Sequence, residues 1–318
     1  MAARLVWYTS GRELRTKEVS VGAVLNRREF AQAAAGLGLW ATVVKGAAQR
    51  ARNIKIGHTG ITWPNNQIDQ AIRDIGGLGF HGLETFGNVL ESWETKGGLG
   101  PVLEQTKLPL LSAYCNANLT EPGRRNEERE KMLAWGRLIK KYGGKISVIG
   151  PNNVNRSSYD FNANRANIIA SLNDYARALT DLGLTAVLHQ HTGTCVESRD
   201  ETYAVMESVD TRYVKFGPDV GQLAKGGADP VKVVKDFLPV IQHMHLKDFS
   251  GGQHYLGYSP LGQGKVDLAA ILDLMEGKQT AGMVMVELDS SPNMPLTGLE
   301  TAKIAKAFLQ EQGVQFRS

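Results

Sequence analysis

The sequence predicts an α/β fold, specifically a (β/α)8 or TIM barrel. Three observations carry that expectation. Eight short apolar runs alternate with longer amphipathic ones from Asn53 onward. Residues 53–318 span 266 positions, close to the ~250 of one such barrel. Residue types that bind metals recur at the ends of the apolar runs, where a barrel of this kind gathers its chemistry.

The strands are expected, in order, at 54–59 (IKIGHT), 82–86 (GLETF), 108–114 (LPLLSAY), 145–150 (KISVIG), 185–190 (TAVLHQ), 213–218 (YVKFGP), 241–247 (IQHMHLK) and 282–288 (GMVMVEL). Helical patterns fill the gaps. In NQIDQAIRDIGGLG, Ile68, Ile72 and Ile75 recur at steps of four and three, one face of a helix. EEREKMLAWGRLIKKYGG ends in basic residues and then Gly143, a helix stop. ANIIASLNDYARALTDLGL stops at Gly183 in the same way. Further helices fit 198–208, 230–237, 267–276 and 297–312. A doubly wound open sheet is the competing architecture, but no G-x-G-x-x-G follows the first strand.

Composition narrows the class. The chain is 42% hydrophobic and 21% charged, ordinary for a globular protein. Its 35 glycines sit singly between apolar runs, not in repeats. Two cysteines, Cys115 and Cys195, exclude a disulfide scaffold and a C-x-x-C zinc motif. The net charge of +4 is unevenly placed. Residues 1–52 hold nine Lys/Arg against three Asp/Glu, which leaves 27 against 29 for the rest. A body at −2 lacks the basic footprint of a nucleic-acid binder.

The first 52 residues read as a leader, and 53–318 as a single barrel domain. Asn26 to Val44 carries Arg27, Arg28 and Phe30 before a weakly apolar Ala/Gly stretch. Lys45 and the small Ala47 and Ala48 follow. This resembles a twin-arginine export signal, which implies a periplasmic or extracellular location. The preface before it is long, so translation is expected to start nearer Val24. The apolar stretch is too short for a stable membrane span.

The chemistry is expected at the strand ends. Four of the seven histidines form two H-x-H units, His189 with His191 and His243 with His245. Glu84 ends the second strand, Asp219 the sixth, and Glu287 the eighth; Lys247 follows the second histidine pair. Alternate residues of a strand share a face. His189 therefore shares one with His191, and His243 with His245 and Lys247. Imidazole and carboxylate together suit Mn²⁺, Co²⁺, Zn²⁺ or Mg²⁺. Within each pair, one ring is expected on the metal and the other on substrate. Lys247 is open to two readings, a catalytic role or a rim salt bridge to Asp248.

Seven segments together resemble the xylose isomerase-like barrel superfamily, the sugar phosphate isomerase/epimerase group. They are GITW (60–63), LGFHGLETF (78–86), HQHTGTCVES (189–198), PDVGQLAKGGADPVKVV (218–234), IQHMHLKDF (241–249), PLGQGKVDL (260–268) and VMVELDSS (284–291). Within the superfamily they look nearest to the inosose dehydratase group. The resemblance implies one divalent ion held from strands five to eight, typically by Glu, Asp, His and Glu. Carried over, the ligands are Asp219, His245 and Glu287, with His189 where the first glutamate is expected. Gln222 stands where the group has a histidine that touches substrate.

The resemblance also implies a small-molecule keto-sugar, keto-inositol or polyol. A base removes a proton beside its carbonyl, and the metal stabilises the resulting enediolate. Glu287 or the unbound ring of His189 and His191 is the implied base. Lys247, His243 or Glu197 is the implied acid for a dehydration. Glu84, Glu197, Gln222 and His243 are expected to bind substrate. HTGT and HLKD favour a lyase over an isomerase or epimerase. A non-catalytic sugar-binding barrel is the reading from another class. A DNA-repair endonuclease of related fold is opposed by the acidic body. A homo-oligomer is compatible with the sequence.

Overall fold

The computed structural model describes residues 50–292 and 294–318. Residues 1–49 of the expected leader, with the arginine pair and the small Ala47 and Ala48, lie outside the described residues. Among the described residues there are ten strands: β1 (Ile56–Thr59), β2 (Leu83–Phe86), β3 (Leu110–Ala117), β4 (Ile146–Pro151), β5 (Thr185–Leu188), β6 (Val214–Phe216), β7 (Met244–Leu246), β8 (Asp248–Phe249), β9 (Tyr258–Ser259) and β10 (Val284–Val286). Eight form one parallel sheet in the order β6-β5-β4-β3-β2-β1-β10-β7. Two single bridges, Phe216 to Ile241 and Asp219 to His245, join its ends. The sheet is thus a nearly closed (β/α)8 barrel, and all eight expected strands take part in it.

The helices are α1 (Ile68–Gly77), α2 (Gly87–Glu94), α3 (Gly100–Thr106), α4 (Arg125–Lys141), α5 (Phe161–Asp181), α6 (Arg199–Met206), α7 (Val220–Lys225), α8 (Pro230–Phe237), α9 (Leu268–Met275) and α10 (Gly298–Glu311). Seven match the sequence reading. The short α2, α3 and α7 and the β8–β9 hairpin were not expected. The main core lies between sheet and helices, where Ile72, Ile75, Leu172, Leu179 and Leu272 are fully buried. A small separate cluster of Ile146, Val148 and Val187 fills the barrel interior.

Arg52 already belongs to this body. Its guanidinium donates to the Gln312 carbonyl at 2.7 Å and to Asp273 at 2.5 Å. Cys115 and Cys195 are free and buried, and burial pushes both thiols up to about 12. Among the described residues no helix is long and apolar enough to cross a membrane.

Candidate active site

β7 supplies the centre of the site. Met244 and Leu246 point into the main core, so His243, His245 and Lys247 point the other way. His245 lies between two carboxylates. Its Nε2 is 2.7 Å from Glu84 Oε1 and its Nδ1 is 3.0 Å from Glu287 Oε2. Both contacts are close, yet neither has the alignment of a hydrogen bond. They are charge contacts, and burial makes them strong. Burial alone would lower the His245 pKa, but Glu287 and Glu84 outweigh it and raise it well above the usual value.

Glu84 is held from its other side. Its Oε2 accepts from Ser112 Oγ at 2.6 Å and from His243 Nε2 at 2.7 Å. The Met283 N–H donates to His243 Nδ1 at 3.2 Å, so the ring's proton sits on Nε2. Burial lowers the His243 pKa and keeps the ring neutral. Burial opposes the Glu84 charge, but His245 and His243 hold its carboxyl well below the usual range. His243 is therefore fully engaged in orienting Glu84. It does not border the cavity at the barrel mouth.

Lys247 is fully buried and meets three carboxylates: Glu287 Oε1 at 2.6 Å, Asp219 Oδ2 at 3.0 Å and Asp289 Oδ2 at 3.0 Å. Burial opposes its charge, but those acids raise its pKa well above the usual value. The rim salt bridge to Asp248 does not form. Asp248 instead accepts the backbone N–H groups of Gly262, Gly264 and Val266. Lys247 fits inside because α7 passes it with glycine. A Cβ at Gly221 would lie 2.7 Å from the lysine Cγ. Asp219 caps α7, its Oδ1 accepting from the Gln222 N–H at 2.9 Å. Burial raises its carboxyl. Glu287 faces two cations, which overcome burial and hold it well below the usual range.

The β5 pair divides. His189 is buried with no partner on either ring nitrogen. Its ring centroid is 4.5 Å from that of His245 and 5.4 Å from that of Tyr114. Burial lowers its pKa well below the usual value, so it is neutral. His191 is tied down. Gln222 Oε1 accepts from Thr192 N and Oγ1, at 3.1 and 2.7 Å. The Gln222 amide nitrogen therefore donates to His191 Nε2 at 2.8 Å. His191 Nδ1 keeps its proton and donates it to the Thr192 carbonyl at 2.7 Å.

A divalent ion fits one of two clusters. Glu84, His243 and His245 form the first, and His189, Asp219 and His245 the second; each keeps its ligand atoms within 4.8 Å. The first is closed, because the proton on His243 Nε2 already serves Glu84. The second has a lone pair to give on neutral His189, and another on His245 once an ion displaces the proton from Nδ1. Glu287 reaches the same side. Charge agrees. Glu84, Asp219, Glu287 and Asp289 meet only Lys247 and a protonated His245. Uncompensated buried charge is costly, and a divalent cation offsets it.

Glu84, Tyr114, His189, His191 and Glu287 line a cavity of about 130 Å³ at this mouth. Glu197 is not among its walls. It accepts the Gly193 N–H and lies 3.6 Å from Arg156, so it braces the loop after β5. Sequence reasoning missed Asp289 and Tyr114. Asp289 is two residues beyond Glu287 and shares its face, a readable signal. Tyr114 ends an expected strand, but an aromatic there also reads as core.

Residues 72–312 match the xylose isomerase-like TIM barrel family. The chain belongs to that family. Inosose dehydratase of Clostridium botulinum (strain Alaska E43) is 25% identical over 294 residues, covering 81% of this chain and 97% of that one. The enzyme of the same name from Clostridium tetani is 26% identical over 295 residues, with 81% and 97% covered. Solved members of the fold superpose closely. An IolI protein with a bound zinc atom gives a TM-score of 0.67 at 18% identity, covering 82% of this chain and 98% of that one. The 3-keto-D-glucoside 4-epimerase YcjR of E. coli gives 0.62 at 16%, covering 81% and 98%. At such identities the solved structures speak to the barrel alone.

Proposed function

We propose that the protein is a divalent-metal-dependent lyase acting on a keto-sugar or keto-inositol, with Glu287 as its base. The observation that carries this reading is His189, a buried ring with both nitrogens free beside Asp219, His245 and Glu287. The inosose dehydratase relatives and the zinc in a neighbour of the same fold support it. His189, Asp219, His245 and Glu287 hold the ion. When bound, it supplies a Lewis acid that polarises the substrate carbonyl.

The remaining work belongs to side chains. Glu287 borders the cavity and takes the proton beside the carbonyl. Lys247 keeps its proton, so it is a fixed charge beside Glu287 and not an acid. Glu84, set by Ser112 and His243, orients His245 from behind, as carboxylates do for metal-bound histidines. Epimerisation needs a proton-handling group on each face of the ring. Of the other such groups on the cavity wall, His191 is engaged by Gln222, and Glu84 by Ser112 and His243. Elimination needs one carboxylate only: Glu287 removes the α-proton and returns it to the departing β-hydroxyl, which leaves as water.

The test joins elemental analysis of the purified protein to a D₂O screen over keto-inositols and keto-sugars. Elimination gives a conjugated enone with an ultraviolet band. A deuterated epimer without an enone would make the enzyme an epimerase. Metal without exchange on any substrate would leave a sugar-binding barrel and sink the proposal.

A further inference from the structure

A second cavity adjoins the inner one and shares Ile61, Phe86 and Tyr114 with it. Its volume is about 670 Å³ against about 130 Å³. One reacting ring at the metal-binding residues leaves it empty. Its other walls include Trp63, Trp135, Asn65, Asn88 and Asn116. No carboxylate, ammonium, guanidinium or imidazole borders it.

The two indoles are rigidly seated. Trp63 Nε1 donates to Asp74 and Trp135 Nε1 to Glu91, both at 3.0 Å. Neither N–H is left for the chamber, and both rings are buried, so each offers it a small patch of carbon beside the half-buried Phe86 and Tyr114. Both indoles lie against glycine at a helix start. A Cβ at Gly298 would come within 2.6 Å of the Trp63 ring, and one at Gly87 equally near Trp135. The amides are the opposite case, with capacity to spare. Asn88 and Asn116 are exposed. Asn116 reaches only the Pro151 carbonyl, at 3.4 Å.

We infer that this chamber is a subsite for an uncharged ring attached to the reacting sugar, so that the substrate is a keto-glycoside. The inference rests on the proposed reading that the reacting ring lies in the inner cavity. A ring packs on preset aromatic carbon at little entropic cost. Amides answer hydroxyl groups with matched donors and acceptors. A phosphorylated sugar would need a cation to meet it, and this chamber has none. The attached ring is a second sugar or an aryl aglycone, which offer the same uncharged face.

Calorimetric titration tests this with unreactive probes: glucose, glucose 6-phosphate, cellobiose and 4-nitrophenyl β-glucoside. At least one glycoside should bind tenfold more tightly than glucose. Which one does so separates a sugar subsite from an aglycone subsite. In the Asn88→Ala/Asn116→Ala variant, glucose affinity should be unchanged, while any cellobiose advantage falls at least threefold. Glycosides no tighter than glucose, or glucose 6-phosphate tighter than both, would overturn the subsite. Because the probes do not react, the result is separate from the catalytic reading. A glycoside preference without exchange on any keto-sugar refutes the lyase and keeps the subsite. Exchange on a keto-inositol with no glycoside preference does the reverse.

Discussion

At the scale of single residues, His189 separates ligand from packing. It makes no hydrogen bond, so His189→Phe should keep the ring contacts to Tyr114 and His245 and cost less than about 1.5 kcal/mol of stability. Removing a ligand should cost more than the ten- to hundredfold of an outer partner. Zinc and manganese titration would show the loss; wild-type affinity would make His189 a packed ring. Lys247 is the converse case. Lys247→Met strands Asp219, Glu287 and Asp289 in the interior, and should lose about 3–5 kcal/mol in urea denaturation. A loss below 1 kcal/mol would mean that water already compensates these acids. The sequence revealed both histidine pairs but not the division of labour within them. His243 is removed from the mouth by the Met283 N–H, forty residues away in the chain. His191 is engaged by Gln222 from the next strand end. Those partners exist only after the barrel closes, so no local pattern could have reported them.

At the scale of elements, the barrel is loosest where β6 and β7 meet, since these two strands share no continuous ladder. β3 and β4 pair over six residues, whereas β6 and β7 meet through two single bridges. The Gln242 N–H reaches the Phe216 carbonyl at 3.0 Å, and the His245 N–H reaches Pro218 at 2.9 Å. Beyond these the Lys247–Asp219 ion pair ties this edge, and the proposed ligands Asp219 and His245 face each other across it. A bound ion should therefore stitch the seam. Hydrogen exchange at 214–219 and 242–246 should slow on metal addition, with little change in β3 and β4. Uniform slowing would place the ion's effect on global stability instead. All eight barrel strands were legible because each is an apolar run with turn residues around it. The β8–β9 hairpin was not, since two-residue strands carry no period. α7 was hidden because it is only six residues long. α2 starts on Gly87, immediately after β2, where a glycine reads as a turn.

For the whole molecule, the buried histidines set how stability follows pH. His58 sits edge-on to Trp63 and Phe80, and burial lowers its pKa from 6.5 to about 4. The unfolded chain takes up a proton below pH 6.5 that the folded chain refuses until about 4. The stability from His58 is thus complete above 6.5 and is lost as pH falls toward 4, on the order of 3 kcal/mol. His189 and His243 are lowered as well and act with the same sign. His245 is raised, so its contribution is complete below 6.5 and is lost as pH climbs through its folded value. Protein stripped with a chelator should be most stable near roughly pH 6.5, with losses on both sides. His58→Phe keeps the aromatic contacts and should flatten the acid side in urea midpoints from pH 4.5 to 6.5. An unchanged slope would mean that the site histidines carry the whole effect. Metal acts on the other side, because an ion needs the His245 nitrogen without its proton. The stability gained from zinc or manganese should therefore grow from pH 6.5 to 8.5, against the decline of the stripped protein. A gain that shrinks over that range would remove His245 from the ligand set.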